Sequence, residues 1–194
     1  MKIAIILLSL IFSSMSFAKV GITLGGNNPD FKSTNGATDE KFDSKLGYDV
    51  GLIFDFALSG SISIGAEFGY STFMADVKSP TDDGDLTFSY LLIRPLVFID
   101  LIGDFGIYFG GIYGKSQTAE TKFSNRTVDY NSLTNYDVKK RLAANIGIHY
   151  MIHMSDFELR PRFMYEKGID ELVTSTTGWK LEADVMMLVL DVLF

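Results

Sequence analysis

The sequence predicts an all-β fold, an eight-stranded antiparallel up-and-down β-barrel that crosses a membrane. Three observations lead to this fold: an N-terminal export signal, apolar residues at every second position, and charged residues in the middle of the alternating segments. Apolar residues at period two indicate strands with two unlike faces. In a barrel that spans a membrane, the apolar face of each strand points to lipid and the polar face to the lumen.

The first 18 residues have the features of a secretory signal peptide. Lys2 precedes an apolar run from Ile3 to Phe12, and small residues lead to Ala18, after which we predict cleavage. The ten-residue run is about half of the roughly 20 residues that a membrane-spanning helix needs. The sequence therefore predicts a signal peptide at residues 1–18 and one exported domain at residues 19–194.

Charge and composition exclude several classes of protein. The chain has 24 acidic and 17 basic residues, and loss of Lys2 with the signal moves the formal charge from −7 to −8. An acidic balance argues against nucleic-acid binding, which depends on cationic contacts to phosphate. The chain has no cysteine, so a lipoprotein anchor and a disulfide scaffold are both excluded.

The alternation is clearest in two segments. From Leu46 to Leu58 the even-numbered residues are all apolar, and from Phe157 to Tyr165 the apolar face alternates with a face that carries Glu158 and two arginines. The same pattern along the whole chain predicts eight strands, near residues 19–26, 45–58, 61–75, 86–100, 105–117, 136–153, 157–167 and 179–194.

The predicted connections alternate between short and long. The short ones lie at Ser59–Gly60, Leu101–Asp104 and Met154–Asp156. Outer-membrane barrels have short periplasmic turns and longer extracellular loops, and an even number of strands brings both termini to the periplasmic side. Four long polar connections, predicted to be extracellular loops, lie at Asn27–Ser44, Asp76–Asp85, Thr118–Asn135 and Gly168–Gly178.

Charged residues within the strands form the predicted lumen face. An eight-stranded barrel is just wide enough to be filled by side chains, so a near balance of acids and bases favours a lumen plugged by ion pairs. A proton or ion path is the alternative. The predicted charge network consists of Asp49, Asp55, Glu67, Arg94, Lys139, Arg141, Glu158, Arg160 and Arg162.

The strand that contains Arg94 can face either way. One facing points Arg94 into lipid, at a cost of roughly 2–4 kcal/mol. The other places Arg94 in the lumen but turns bulky apolar residues inward. A bulge near Arg94 and Pro95 could reconcile the two, because proline cannot donate to the ladder. We predict that Arg94 faces the lumen.

Aromatic residues mark both predicted membrane interfaces, where amphipathic rings suit the headgroup level. Tyrosines and the one tryptophan lie toward the long-loop ends of the strands, and mainly phenylalanines lie toward the short-turn ends. The predicted outer belt is Tyr48, Tyr70, Tyr90, Tyr113, Tyr136, Tyr165 and Trp179. The predicted inner belt is Phe56, Phe98, Phe105, Tyr150 and Phe157.

The last strand is the most specific feature. Counting back from Phe194, alternate residues to Met186 form one apolar face, and the final residue is aromatic. In this pattern the sequence resembles the small outer-membrane β-barrel proteins, such as the OmpA-like transmembrane domain and the porin-family outer-membrane barrel domain. The resemblance implies a Gram-negative-type outer membrane with its lipid and lipopolysaccharide, and a C-terminal signal at Phe194 that the barrel-assembly machinery reads.

No constellation in the sequence predicts catalysis, so we expect no catalytic residue, no cofactor and no metal site. His153 and Ser155 are similar to the His-x-Ser pair of a barrel lipid A deacylase, but they lie at a predicted periplasmic turn without an evident acidic partner. The acidic run Asp82–Asp85 lacks the spaced pattern of a Ca²⁺ loop, so a solvated loop is the favoured interpretation.

Two classes of function follow from the sequence. The first is a structural or surface-interaction barrel that acts through its extracellular loops, whose acidic charge favours a cationic or metal-bridged partner. The second is a small-solute pore or a lipid-modifying enzyme of the outer membrane. A secreted lipocalin-like carrier would share the strand count, but no Gly-x-Trp occurs near the first strand.

Overall fold

The computed structural model describes residues 18–34, 41–78 and 82–194, and these form a single antiparallel barrel. Most of the predicted signal peptide lies outside the described residues. No helix in these three ranges has the length and apolar character needed to cross a membrane. The strands are β1 (Ala18–Thr34), β2 (Lys41–Ala57), β3 (Ile62–Lys78), β4 (Gly84–Ile102), β5 (Phe105–Phe123), β6 (Thr127–Asp129), β7 (Tyr136–Val138), β8 (Arg141–Tyr150), β9 (Ile152–His153), β10 (Glu158–Gly168), β11 (Val173–Ser175) and β12 (Lys180–Leu193).

Eight of these strands form a closed ring in the order β1, β2, β3, β4, β5, β8, β10 and β12, so the predicted fold is confirmed. A path of directly opposed residues that starts at Lys19 and crosses every strand returns to β1 at Pro29, ten residues further on. This stagger over eight strands corresponds to a strand tilt of roughly 40–45°. The resulting interior is narrow enough for side chains to fill.

The three short connections lie together at one end of the barrel, as predicted. The turn between β4 and β5 is tight because Gly103 adopts a φ of 59°, a left-handed conformation that side chains with a Cβ rarely adopt. At the same end the two termini of the ring meet, where the Phe194 amide donates to the Val20 carbonyl at 2.9 Å. Short turns lie on the periplasmic side of outer-membrane barrels, so we call this the periplasmic end.

The predicted long loops are partly wrong, because strands continue into the connections at 27–44, 76–85 and 118–135, whereas most of 168–178 lies outside the strands. β4 and β5 each have 19 residues, whereas a tilted strand needs only about 9–11 to cross a membrane. β1 continues to Thr34 and β2 begins at Lys41, so most of the predicted 27–44 loop is paired strand. The barrel therefore rises well beyond the membrane on the side away from the short turns. We call this part the extracellular extension.

The polarity of the alternation reverses where the extension begins, which is why the sequence pattern there resembles that of loops. In the membrane-spanning part apolar residues point outward, but in the extension Phe31 points inward while Lys32 points to water. The register shifts near this level, between Lys45 and Tyr48 in β2 and beside Gln117 in β5. Such bulges change the phase of the side chains on one strand. A pattern with polar residues outside is typical of a soluble sheet, not of one that contacts lipid.

The outer wall of the membrane-spanning part is apolar, in agreement with the predicted faces. Exposed residues on this wall include Val50, Leu52, Phe68, Ile93, Phe109, Ile146, Phe163, Leu188 and Leu190.

The predicted membership of the two aromatic belts is partly wrong. Tyr90 and Phe98 are buried in the lumen, and Tyr136 and Trp179 pack against the core of the extension. The outward-facing members of the two belts are Tyr48, Tyr70, Tyr113 and Tyr165 near the extension, and Phe56, Phe105, Tyr150 and Phe157 near the periplasmic turns.

Candidate functional site

Arg94 lies at the centre of a network of buried ion pairs in the lumen. Its guanidinium contacts carboxylates from three other strands: Nη2 lies 2.7 Å from Asp49, Nε lies 3.2 Å from Glu166, and Nη1 donates to Glu67. All four side chains are fully buried. The pairing of β3 with β4 runs without interruption past Pro95, so the inward facing of Arg94 needs no bulge at the proline.

The network continues from Glu67 toward the periplasmic end. Arg162 Nη2 lies 2.8 Å from Glu67 and 2.8 Å from Asp191. Asp191 also accepts from Arg160 Nε at 2.9 Å, and Arg160 donates through Nη1 to Asp55. Arginine suits this arrangement because its planar guanidinium has five fixed donors and can join two or three carboxylates at once.

A second branch runs from Arg94 toward the extension. Glu166 bridges Arg94 and Arg141, with Arg141 Nη2 at 3.0 Å from its Oε2. The Arg141 guanidinium also lies over the ring of Phe73, 4.7 Å from the centroid. Aromatic rings cover the network in the same way elsewhere: Phe98 lies against Arg160 and Tyr108 against Arg162. A guanidinium above an aromatic face is attracted by the ring electrons, so these contacts stabilise the arginines in the lumen.

The network joins six of the eight ring strands through four arginines and five carboxylates. Removing one member of a buried ion pair leaves an uncompensated charge, at a cost of about 3–5 kcal/mol. Each carboxylate except Asp49 and Asp55 pairs with two arginines. The removal of one side chain therefore disturbs ion pairs throughout the network. The arrangement is suited to holding the barrel in one register and to filling the lumen.

Seven of the nine residues predicted from the sequence lie in this network, and two lie elsewhere. Lys139 is in the extension, where it pairs with Asp137. Glu158 lies at the periplasmic rim, where it accepts from Lys19 and contacts His153. Both occupy inward-facing positions of the alternating pattern. Alternation alone does not give the height of a residue along the barrel axis.

Two members of the network, Glu166 and Asp191, are absent from the set predicted from the sequence. Glu166 lies on the same face as Arg160 and Arg162, and continuing that face past Met164 to its next position would have identified it. Asp191 is the one charged residue on the inner face of the last strand between Val185 and Leu193. The sequence analysis of that strand rested on its outward apolar face, and a single inward carboxylate did not stand out.

Above the network, the interior of the extension is an apolar core. Inward side chains from β1, β3, β4, β5, β11 and β12 fill it together with Leu172, and many of their outward neighbours are charged. The buried members are Phe31, Phe73, Ala75, Val77, Leu86, Phe88, Ala119, Leu172, Val173, Leu181, Ala183 and Val185. The extension therefore has the inside-apolar organisation of a water-soluble sheet, on top of a barrel with the opposite organisation.

Aromatic side chains close the top of this core. Tyr130 stacks on Phe88, with ring centroids 6.5 Å apart, and on Trp179 at 6.3 Å. Tyr136 meets the rings of Tyr130 and Trp179 edge-on. The Trp179 Nε1 donates to Ser33 at 2.9 Å, which ties the turn before β12 to the end of β1. We call Tyr130, Tyr136 and Trp179 the aromatic lid.

Ion pairs on the outside of the extension are exposed to water. Lys45 contacts both Asp76 and Asp85, which compensates part of the charge of the predicted acidic loop. No cluster of three or more metal-ligating side chains occurs in the described residues, Asp82–Asp85 included. In the segment that follows β10, a hydrogen bond from Lys180 holds the pKa of Glu171 below its usual value.

The periplasmic end of the lumen is a cavity of about 360 Å³ that reaches up to the network. Its walls include Phe98, His149 and Arg160, and its rim includes Ser59 and Gly60. His149 is buried, and its Nε2 lies 3.6 Å from Asp100. The cavity ends where Arg160 meets Asp55, so it is a vestibule of the lumen.

The turn that contains His153 differs from the sequence-based expectation. His153 does have acidic partners, with Nδ1 at 3.0 Å from Glu158 and Nε2 at 3.2 Å from Asp104. The sequence hid Asp104 because it is 49 residues away on another turn. Both ring nitrogens are therefore engaged, and the Ser155 hydroxyl donates to Asp156 at 3.1 Å. This geometry does not form a serine–histidine pair.

Comparisons with known proteins agree with this architecture. The outer membrane protein beta-barrel domain family matches residues 12–172. Among solved structures the chain is similar to Neisserial surface protein A, with a TM-score of 0.57 and 12% identity over 92% of this chain and 100% of that one. No curated protein sequence matches the chain.

Two further structures are similar at the level of the fold. OprG from Pseudomonas aeruginosa has a TM-score of 0.50 and 14% identity over 91% of this chain and 95% of that one. The attachment invasion locus protein Ail of Yersinia pestis has a TM-score of 0.50 and 14% identity over 91% of this chain and 99% of that one. With the family match over most of its length, this chain belongs to the outer membrane protein beta-barrel domain family and is a protein of the Gram-negative outer membrane.

Proposed function

We propose that this outer-membrane barrel works at the cell surface through its extracellular extension. The observation that carries the proposal is the reversal of side-chain polarity along the same strands, which gives the extension an apolar core of its own. A sheet with a packed core holds its outer surface in one geometry, and rigid scaffolds that present exposed residues are where binding usually occurs.

The same proposal includes a closed lumen. In this proposal the aromatic lid blocks the extracellular end, and the ion-pair network blocks the interior below it. A solute on its way through would have to separate arginine and carboxylate groups in a low-dielectric interior, which costs several kcal/mol for each pair. A structural and surface role therefore fits this interior better than a small-solute pore does.

Conduction tests the closed lumen directly. We expect no steady single-channel current from the parent barrel in planar bilayers. The double variant Glu67→Ala with Arg94→Ala removes both partners of a buried pair and should produce intermittent openings. The control Asp43→Ala with Lys78→Ala removes an exposed pair and should stay closed. A large, steady conductance from the parent would contradict the proposal.

Truncation of the extension tests the surface role. Residues 76–85 and 169–178, which together carry six acidic residues and one basic residue, are replaced by short turns in a barrel held in lipid nanodiscs, and retention on polylysine-coated beads is compared with that of the parent. We expect the truncated protein to remain heat-modifiable on gels and to lose most of its retention, because its most acidic segments have gone. Equal retention of both proteins would place the binding surface elsewhere.

We also propose that the barrel-assembly machinery reads the last strand through Phe194, which lies exposed on the outer wall. Phe194→Asp should lower the amount of surface-accessible barrel several-fold, measured by protease digestion of whole cells. Leu58→Asp, at a periplasmic turn on another strand, is the matched control and should change it little. Normal surface levels of Phe194→Asp would contradict this assignment.

A further inference from the structure

Two lysines on the outer wall have no acidic partner among the described residues. Of the eleven lysines in this part of the chain, eight form an ion pair: Lys19, Lys32, Lys45, Lys78, Lys122, Lys139, Lys167 and Lys180. The exceptions are Lys41, at the far end of the extension, and the neighbours Lys115 and Lys140. Since eight of the eleven described lysines are paired, two unpaired lysines that lie next to each other on the wall need an explanation.

Lys115 and Lys140 lie side by side on the same face of the barrel. Gly114 and Arg141 are directly opposed across β5 and β8, and the two lysines are the next residues toward the extension on each strand. Both are exposed, whereas Arg141, which follows Lys140 in the sequence, points into the lumen. Like charges placed opposite each other on a sheet are destabilising, so this arrangement favours an anion between them.

The two lysines lie at the height of the extracellular membrane interface. The Lys140 ammonium lies 5.7 Å from the centre of the Tyr113 ring, and Tyr113 belongs to the outward tyrosines that mark this interface. Lys115 is two residues beyond Tyr113 on the same face. The two ammonium groups are therefore at the level of lipid headgroups.

An apolar groove leads from this pair into the lipid-facing wall. It has a volume of about 500 Å³, and its lining is almost entirely apolar. Phe68, Leu91, Ile93 and Tyr113 form its walls, and Lys115 stands at its extracellular end. A basic pair at headgroup level above an apolar groove is complementary to a molecule with a phosphate at one end and a hydrocarbon chain at the other.

We propose that Lys115 and Lys140 bind the phosphate of a phosphorylated, acylated lipid of the outer leaflet, with one acyl chain along the Phe68–Tyr113 groove. Lysine is a common phosphate ligand, acting as a point charge with three donors. The site rests on the membrane placement of the barrel and uses no residue of the aromatic lid or of the lumen network. It gives the barrel a direct contact with lipopolysaccharide that the acidic extension cannot provide.

The test uses the full barrel in detergent micelles and measures its binding to lipid A by native mass spectrometry. Three probes are compared: bisphosphorylated lipid A, the same lipid without its phosphates, and inorganic phosphate. We expect Lys115→Gln with Lys140→Gln to bind bisphosphorylated lipid A about tenfold more weakly than the parent, since each lysine near an anionic headgroup contributes appreciably. The dephosphorylated lipid should bind the parent and this variant equally.

Two further variants make the result specific. Lys41→Gln with Lys122→Gln removes the same charge from the extension and should leave binding within about twofold of the parent. Ile93→Trp fills the groove and should weaken lipid A several-fold without changing the binding of inorganic phosphate. The site is overturned if the parent and the double lysine variant bind bisphosphorylated lipid A equally. It is also overturned if the parent binds lipid A equally tightly with and without its phosphates. The bilayer recordings and the polylysine assay involve neither lysine, so failure here is distinguishable from failure of the proposed surface role.

Discussion

The membrane-spanning barrel and the extracellular extension are built from the same strands with opposite organisation. Between the two interfaces, apolar side chains face outward and the interior holds arginines and carboxylates that are fully buried. Above the outer interface the interior is apolar and the charged pairs lie outside, with Lys78 and Asp43 both more than half exposed. The change occurs within single strands, without a break in the sheet.

The difference shows that the surroundings of a strand decide which face is polar. In lipid the outer face must be apolar, so the groups that distinguish one register from another have to be inside, as ion pairs. In water the apolar face moves inside, as in any soluble sheet. The same chemical contact, lysine or arginine with a carboxylate, therefore has a different energetic weight in each region.

The largest expected effect is the loss of Arg94. Arg94→Met leaves Asp49, Glu67 and Glu166 without their shared partner, and we expect it to lower the free energy of unfolding by about 3–5 kcal/mol. Urea titration of the barrel in lipid vesicles measures this change. Lys78→Met, which removes an exposed pair in the extension, should leave the free energy of unfolding almost unchanged. Similar losses for both variants would remove the energetic contrast between the two regions.

A smaller effect is expected from the core of the extension. Phe88 contacts Phe31, Tyr90 and Tyr130, so Phe88→Ala should open a cavity and lower the local stability of the extension by about 3 kcal/mol. Limited proteolysis should then cut between residues 127 and 139 while the barrel stays heat-modifiable. The control Phe109→Ala, on the lipid-facing wall, should not expose that segment. Loss of the heat shift in Phe88→Ala would show that the two regions unfold as one.

The smallest expected effect concerns Glu171 and Lys180. The pKa of Glu171 is lowered in the folded protein. Its ion pair with Lys180 therefore stabilises the extension fully at pH values above the pKa of glutamate in the unfolded chain, about 4.3. This stabilisation is lost as the pH falls through the folded pKa. Glu171→Gln should cost a few tenths of a kcal/mol at pH 7, with the difference from the parent disappearing in acid. Unfolding curves at several pH values would contradict this if the difference instead grew in acid.

Sequence reasoning reached the fold because lipid imposes a simple rule on every strand. Alternation from Leu46 to Leu58 predicts the correct outward face, and the Phe194 strand closes the ring against β1. Alternation also predicts that Asp49, Arg160 and the other predicted members of the network face inward. It does not separate Lys139 and Glu158 from the central network, because their heights depend on strand tilt and stagger, which come from pairing around the whole ring.

The sequence by itself determined that the chain alternates, that its outer wall is apolar and that charged residues lie on the inner side, since each of these follows from local periodicity and from the solvent outside. Only the tertiary structure decided which carboxylate meets which arginine, how far the strands extend, and where their polarity reverses. Glu166 meets Arg94 across 72 residues of sequence, and Lys115 lies beside Lys140 only because β5 and β8 pair. Such contacts depend on the register between strands, and register is a property of the closed ring that no single segment carries.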